Sequence, residues 1–189
     1  MGKDLSHLGD ELLIHEIQTG NRTAFAEIVN RHAKRFYSIA YRILFNKDEA
    51  EDVVQQAFLK LWEKRLDWNN EKRAKFTTWF YRVVINLCFD HNRKKKELSL
   101  ENFTNSNGNS NLKHERQDTL FGEGQKQALL ERYIWQLPER QRLALDLCFY
   151  EGLSNKEAAG VMGIKLKALQ SLIMRAKKTL KDKLNRDII

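Results

Sequence analysis

One proline, Pro138, stands in 189 residues, and four of the nine glycines fall between positions 108 and 152. So few helix breakers, combined with long runs of 3.6-residue periodicity, predict an all-α protein. There are only two cysteines, Cys88 and Cys148. Each lies among apolar residues in a predicted helix, so two buried free thiols are expected and a disulfide framework is excluded. Cys88 and His91 share a helical face, but two ligands make a poor zinc site. No stretch approaches the roughly 18 apolar residues that cross a bilayer, so membrane insertion is not expected. The opening MGKDLSHLGDELL has no charged-then-apolar pattern of a signal peptide. A cytoplasmic chain is the expectation.

Positive charge, by contrast, is plentiful: the formal net charge is +8 and the pI is near 9.5. It is unevenly spread. Residues 1–96 hold 18 cations against 13 carboxylates, residues 97–124 hold 2 against 5, and residues 125–189 hold 13 against 7. The middle stretch, ENFTNSNGNSNLKHERQDTLFGEG, is rich in Asn, Ser and Gly and poor in large apolar residues, which suits a flexible linker. The expected architecture is therefore two small helical domains: a four-helix domain over 1–96, a linker over 97–124, and a second helical domain over 125–189. Two basic blocks on one chain suit a protein that touches nucleic acid twice.

The second block has the layout of a helix-turn-helix. Pro138 fits a first helical position, Gly152 a left-handed helix end, and Ser154 with Glu157 a capping box. A short helix over 155–162 follows, then a turn at Gly163. From Lys165 a longer helix carries Leu166, Leu169, Leu172, Ile173, Ala176 and Leu180 at helical spacing. An apolar stripe with a lysine-rich outer face also describes an ordinary solvated helix. From Lys165 to Arg186, however, eight cations face one acid, a density that favours an anionic partner such as a DNA major groove.

In the first block, Asp10–Gln18 reads as a short helix and Asn21 as the cap of a long one. Asn46 caps a third helix with Ala50, Val53, Val54, Ala57, Phe58, Leu61 and Trp62 inward. A fourth runs over 76–96 with Trp79, Phe80, Val83, Val84, Leu87 and Cys88 inward. Asp48, Glu51 and Asp52 share a face and could hold magnesium for a nuclease. The plainer account is that first-turn carboxylates complement the helix dipole. No catalytic residue, metal or cofactor site is expected. The loop and fourth helix mix aromatic, amide and cationic groups, including Trp68, Trp79 and Tyr81, as single-stranded nucleic acid requires.

Three segments together resemble the extracytoplasmic-function sigma factors of the sigma-70 family. EAEDVVQQAFLKLWEK (49–64) is similar to that family's DAEDLVQEVFLRLW. KFTTWFYRVVINLCFDHNRKKK (75–96) is similar to its F-x-x-W-L-x-R-I-A-x-N-x-x-x-D-x-x-R. LPERQRLALDLCFYEGLSNKEAAGVMGI (137–164) is similar to LPxRQRxVxxLxxxEGLSxxEIAxxLGI. They occur in the family's order and cover most of residues 20–184.

The resemblance implies a non-enzymatic protein that binds core RNA polymerase and takes it to promoter DNA, and that an anti-sigma protein holds inactive. It implies that Asp52, Gln55, Gln56, Leu59 and Trp62 dock on the polymerase. It assigns the −10 element to Asn69, Asn70, Lys72, Arg73, Lys75, Trp79, Arg82, Asn86, His91, Arg93 and Lys94, with the loop residues taking a flipped base at a cost of a few kcal/mol. It assigns the −35 element to Arg140, Lys165, Lys167, Ala168, Gln170, Ser171, Arg175, Lys177 and Lys178. The chain departs from the family at KLKALQSLIMRA, where S-x-G-T-V-K-S-R-L-x-R-A is common, which affects which −35 sequence is read. A plain helix-turn-helix regulator would explain 137–184 but leave the first block unexplained, and a nuclease would require a divalent cation. Gln170 can pair bidentately with an adenine edge, so Gln170→Ala should cost about 1–3 kcal/mol of discrimination at one −35 position. Relative binding to a panel of −35 variants measures this, and an unchanged ranking rejects the contact.

Overall fold

The computed structural model describes residues 5–63, 75–104 and 125–187. Its elements are α1 (Asp10–Gln18), α2 (Arg22–Leu44), α3 (Lys47–Glu63), α4 (Phe76–Thr104), α5 (Gln125–Trp135), α6 (Glu139–Leu145), a π-helical turn (Asp146–Tyr150), α7 (Asn155–Val161) and α8 (Leu166–Asp187). No strand occurs among the described residues. The chain is all-α and divides into two compact units, Met1–His114 and Glu115–Ile189.

In the first unit α2 packs on α1, α3 and α4, and α3 also packs on α4. The centre of the packing is Phe36, fully buried. Its ring lies 4.6 Å from Phe80, 5.0 Å from Tyr81 and 6.3 Å from Phe58, all edge-on. Such contacts add about 0.5–1.5 kcal/mol per pair to the area buried.

The helix ends are specified locally. The Asn21 side chain accepts from Thr23 N (3.0 Å) and Ala24 N (3.2 Å) while its amide donates to Glu16 Oε2 at 2.9 Å. One residue thereby closes α1 and opens α2. Asn46 accepts from Glu49 N at 3.1 Å and opens α3. The N-terminal segment is strapped on by Arg31, which donates to Asp10, Glu27 and the Ser6 and Leu8 carbonyls, and by a 2.7 Å contact between His32 Nε2 and Asp10.

In the second unit α8 is the spine against which α5, α6 and α7 pack. Tyr133, Leu137, Leu145, Ala176 and Leu180 form its core. The capping box is formed: Glu157 N donates to Ser154 Oγ (3.2 Å) and Ser154 N to Glu157 Oε2 (2.9 Å). Gly152 and Gly163 take the left-handed φ values expected of helix-ending glycines, 68° and 63°.

Several expectations are corrected. Pro138 is the residue before α6, in extended conformation, rather than its first helical residue. Helix α4 continues to Thr104 instead of ending at Lys96; KELSLENFT has no breaker to stop it. Tyr81 is fully buried, and Ile85 is buried as well, whereas Trp79 and Val83 are only half-buried, because α2 lies over the α4 face bearing Tyr81. Tyr81 therefore presents no face to nucleic acid. Leu166 is 43% exposed, being the first residue of α8 and ahead of the packed turns. Cys88 is buried and its thiol is pushed up to about 12 by desolvation, but Cys148 is only partly buried.

Asn21→Ala should lower unfolding free energy by about 1 kcal/mol, read as a lower denaturant midpoint at unchanged m-value. No change would mean that Glu16 and the adjoining backbone close the α1–α2 corner without it.

Candidate nucleic-acid interface

At about 100° per residue, Arg82, Asn86 and Arg93 fall within roughly 40° of one another on α4, opposite the buried stripe. All three are exposed, as is Lys94, which lies about 80° outside that arc. Lys75, also exposed, precedes the helix and its carbonyl accepts from Trp79 N at 3.2 Å. Trp79 is half-buried, tilted against Phe76 (6.2 Å) and Phe80 (5.9 Å), so only part of its ring is available. His91 lies about 180° from Arg82 around the helix. It turns toward α3, with Nε2 3.2 Å from Glu49 Oε2, while Lys95 Nζ reaches Glu49 Oε1 at 2.6 Å. His91 thus belongs to the α3–α4 contact and not to the outward arc. Asn69, Asn70, Lys72 and Arg73 lie outside the described residues.

On α3, Asp52, Gln55, Gln56 and Leu59 form one exposed strip, and Leu59 is 52% exposed. Trp62 is half-buried, its ring 5.2 Å from Phe25, so it edges the strip rather than crowning it. Beside the strip runs a shallow groove lined by Ala33, Lys34, Tyr37, Glu51, Val54 and Gln55. The Tyr37 hydroxyl is pushed above its usual range by burial and then by Glu51, Tyr41 and Asp48, of which Glu51 lines the groove. No group of three or more metal-binding side chains occurs among the described residues, so the Asp48, Glu51 and Asp52 set does not converge.

In the second unit, Lys165 sits just ahead of α8 and its carbonyl accepts from Ala168 N (2.9 Å) and Leu169 N (3.1 Å). Lys165, Lys167, Ala168 and Gln170 are exposed around the first turn, with Arg175, Lys177 and Lys178 exposed further along. Ser171 is half-buried and donates its hydroxyl to Lys167 O at 2.9 Å, which leaves it only acceptor capacity for a partner. Arg140 is exposed on α6.

Sequence reasoning missed Phe149. The π turn presents it 58% exposed, and the Lys177 ammonium sits 4.8 Å from its ring. A π turn carries no composition signal, so only the paired aromatics Phe149 and Tyr150 ahead of Gly152 hinted at it. Arg142 also escaped notice. It donates to the Trp135 carbonyl at 3.2 Å, and burial draws its guanidinium below the usual range while Asp146 and Glu139 oppose that shift.

Residues 28–97 match sigma-70 region 2, and residues 127–180 match sigma-70 region 4. The ECF sigma factor SigW of Bacillus subtilis is 30% identical over 179 residues, covering 90% of this chain and 94% of that protein. The chain belongs to the extracytoplasmic-function sigma factors. SigE of Mycolicibacterium smegmatis is 29% identical over 167 residues, although this chain spans only 64% of its length. Among solved structures, CnrH in complex with the cytosolic domain of CnrY is similar at a TM-score of 0.68 and 25% identity, covering 94% of this chain and 98% of that one. RpoE of Bartonella quintana, solved with the anti-sigma factor NepR, shares the fold at a TM-score of 0.64 and 21% identity. In this sigma factor the region 2 match contains α3 and most of α4, and the region 4 match contains the helix-turn-helix. No catalytic family matches alongside these two regions, and no described helix is long and apolar enough to cross a membrane.

The exposure of Leu59 separates it from its buried neighbour. Leu59→Ala should change unfolding free energy by less than about 0.5 kcal/mol, whereas Leu61→Ala should cost about 2–5 kcal/mol. Equal costs in chemical denaturation would place Leu59 in the core and remove it from any docking face.

Proposed function

We propose that this sigma factor binds core RNA polymerase through the α3 strip, reads and opens the −10 element with α4 and the residues that precede it in sequence, and reads the −35 element with α8. The observation that carries the reading is the pairing of the two regions. Region 2 and region 4 matches occur in order, and each contains a helix whose outward face collects cations. In this reading the chain acts by binding alone, in the cytoplasm where polymerase works.

The physical division of labour follows from side-chain chemistry. Arg82, Arg93 and Lys94 can neutralise phosphates and fix register without carrying sequence information. Asn86, together with Asn69, Asn70, Lys72 and Arg73 in the sequence before α4, supplies donors and acceptors for unstacked bases. Opening then proceeds because energy lost in unstacking is returned by base contacts on the protein. On α8, Gln170 is the one exposed side chain of the first two turns able to pair bidentately with a base, and Lys165, Lys167, Arg175 and Lys178 hold the backbone. Domain limits of 1–96 and 125–189 remain our assignment for these two roles. An anti-sigma protein would compete for the same faces, as the partners of CnrH and RpoE suggest by analogy.

Tagged chain should co-purify with core polymerase, and the complex should open promoter DNA that core polymerase alone leaves closed. Duplex binding without polymerase capture would overturn this in favour of a stand-alone regulator.

A further inference from the structure

The basic end of α4 is internally countered. Arg93 Nη2 lies 3.2 Å from Asp90 Oδ1, and its Nε lies 4.0 Å from Glu97 Oε1. Lys95 donates to Glu49 at 2.6 Å, and His91 stands 3.2 Å from the second oxygen of the same carboxylate. That oxygen is buried and forms no hydrogen bond. Asp90, Arg93 and Glu97 are all exposed on the outward arc, while Glu49 reaches across from α3. Lys94 and Lys96 are exposed between these cations.

We infer that Asp90, Glu97 and Glu49 compete with DNA phosphates for Arg93 and Lys95 and so temper the affinity of this helix for DNA. The inference rests on the reading of α4 as a DNA-binding helix. The Arg93 pairs are solvent-exposed and weak, so a well-placed phosphate can displace their carboxylates at little cost, while the part-buried Lys95–Glu49 pair yields less readily. The exchange changes the counterion balance. A phosphate that binds a free cation releases condensed counterions, which gives nearly all of non-specific affinity. A phosphate that binds Arg93 or Lys95 also strands a carboxylate, which takes up a cation from solution and cancels that gain. Contacts to bases are untouched by this cancellation. The carboxylates therefore lower the share of DNA affinity that comes from phosphate contacts at this end of α4.

The test is a salt titration of the full chain on a mixed-sequence duplex. Asp90→Asn with Glu97→Gln should steepen the slope of log K against log salt by about 0.9, and raise affinity roughly five- to tenfold near 0.1 M salt. The gain should vanish when Arg93→Gln is added. Glu49→Gln should act likewise, with its gain removed by Lys95→Gln. An unchanged slope would overturn the inference. So would a gain that survives loss of Arg93 or Lys95, since that marks a general charge effect. The Asp90/Glu97 pair, being wholly on the surface, decides the matter even if Glu49→Gln loosens the α3–α4 contact. Arg82→Gln with Lys94→Gln in the otherwise unaltered chain provides the separating control. If it leaves duplex affinity and promoter opening by the polymerase complex intact, the DNA-binding reading of α4 fails; if it lowers both while the carboxylate variants do nothing, only the competition fails.

Discussion

The burial of Phe36 is the contact on which the first unit depends. One ring on α2 touches Phe58 on α3 and both Phe80 and Tyr81 on α4, so three helices share a single packing centre. Everything functional is set by that arrangement. Turning α3 so that Phe58 meets Phe36 leaves Asp52, Gln55, Gln56 and Leu59 facing outward. Turning α4 so that Phe80 and Tyr81 meet it leaves Arg82, Asn86 and Arg93 outward. The outward faces of α3 and α4, proposed here for polymerase and DNA, are the complements of one core. A buried aromatic at such a junction leaves a cavity when truncated, at a cost of about 3–5 kcal/mol for phenylalanine.

The second unit solves the same problem with smaller residues. Leu169, Ala176 and Leu180, with the partly buried Ile173 and Leu184 beside them, give α8 an apolar stripe, and most of its outer face is polar or cationic. The capping box at Ser154 and the left-handed Gly163 fix how α7 enters and leaves, and so fix where the exposed first turn of α8 stands. The π turn before α7 adds one backbone residue to the α6 exit. That extra residue presents Phe149 beside Lys177 while Asp146 stays buried near Arg142.

Charge is organised differently from burial. The count of cations suggested broad attraction to nucleic acid, but several of those cations already have partners within the fold. His91 and Lys95 meet Glu49, Arg93 meets Asp90, and Lys177 covers Phe149. Net charge sets the long-range field, while these local contacts decide which cations a phosphate must win over.

Much was legible in the residues alone. Helical periodicity, the caps at Asn21, Asn46 and Ser154, and the glycines at 152 and 163 are local signals, and local signals survive without knowledge of packing. The family patterns at 49–64, 75–96 and 137–164 are likewise linear. What the chain's order could not disclose was which neighbour each helix face would meet. Tyr81 and Trp79 are two residues apart with similar chemistry, yet α2 covers the first and leaves the second half open. His91 reads as a group that holds the DNA backbone and neighbouring duplex until α3 brings Glu49 to it. The end of α4 was misjudged because no breaker follows Lys96 and no charge rule stops a helix. Sequence determined the helices, their caps and the two-unit plan, because those follow from hydrogen bonding and spacing within a few residues. Tertiary structure decided which cations stay available, because that depends on carboxylates brought close from elsewhere in the chain.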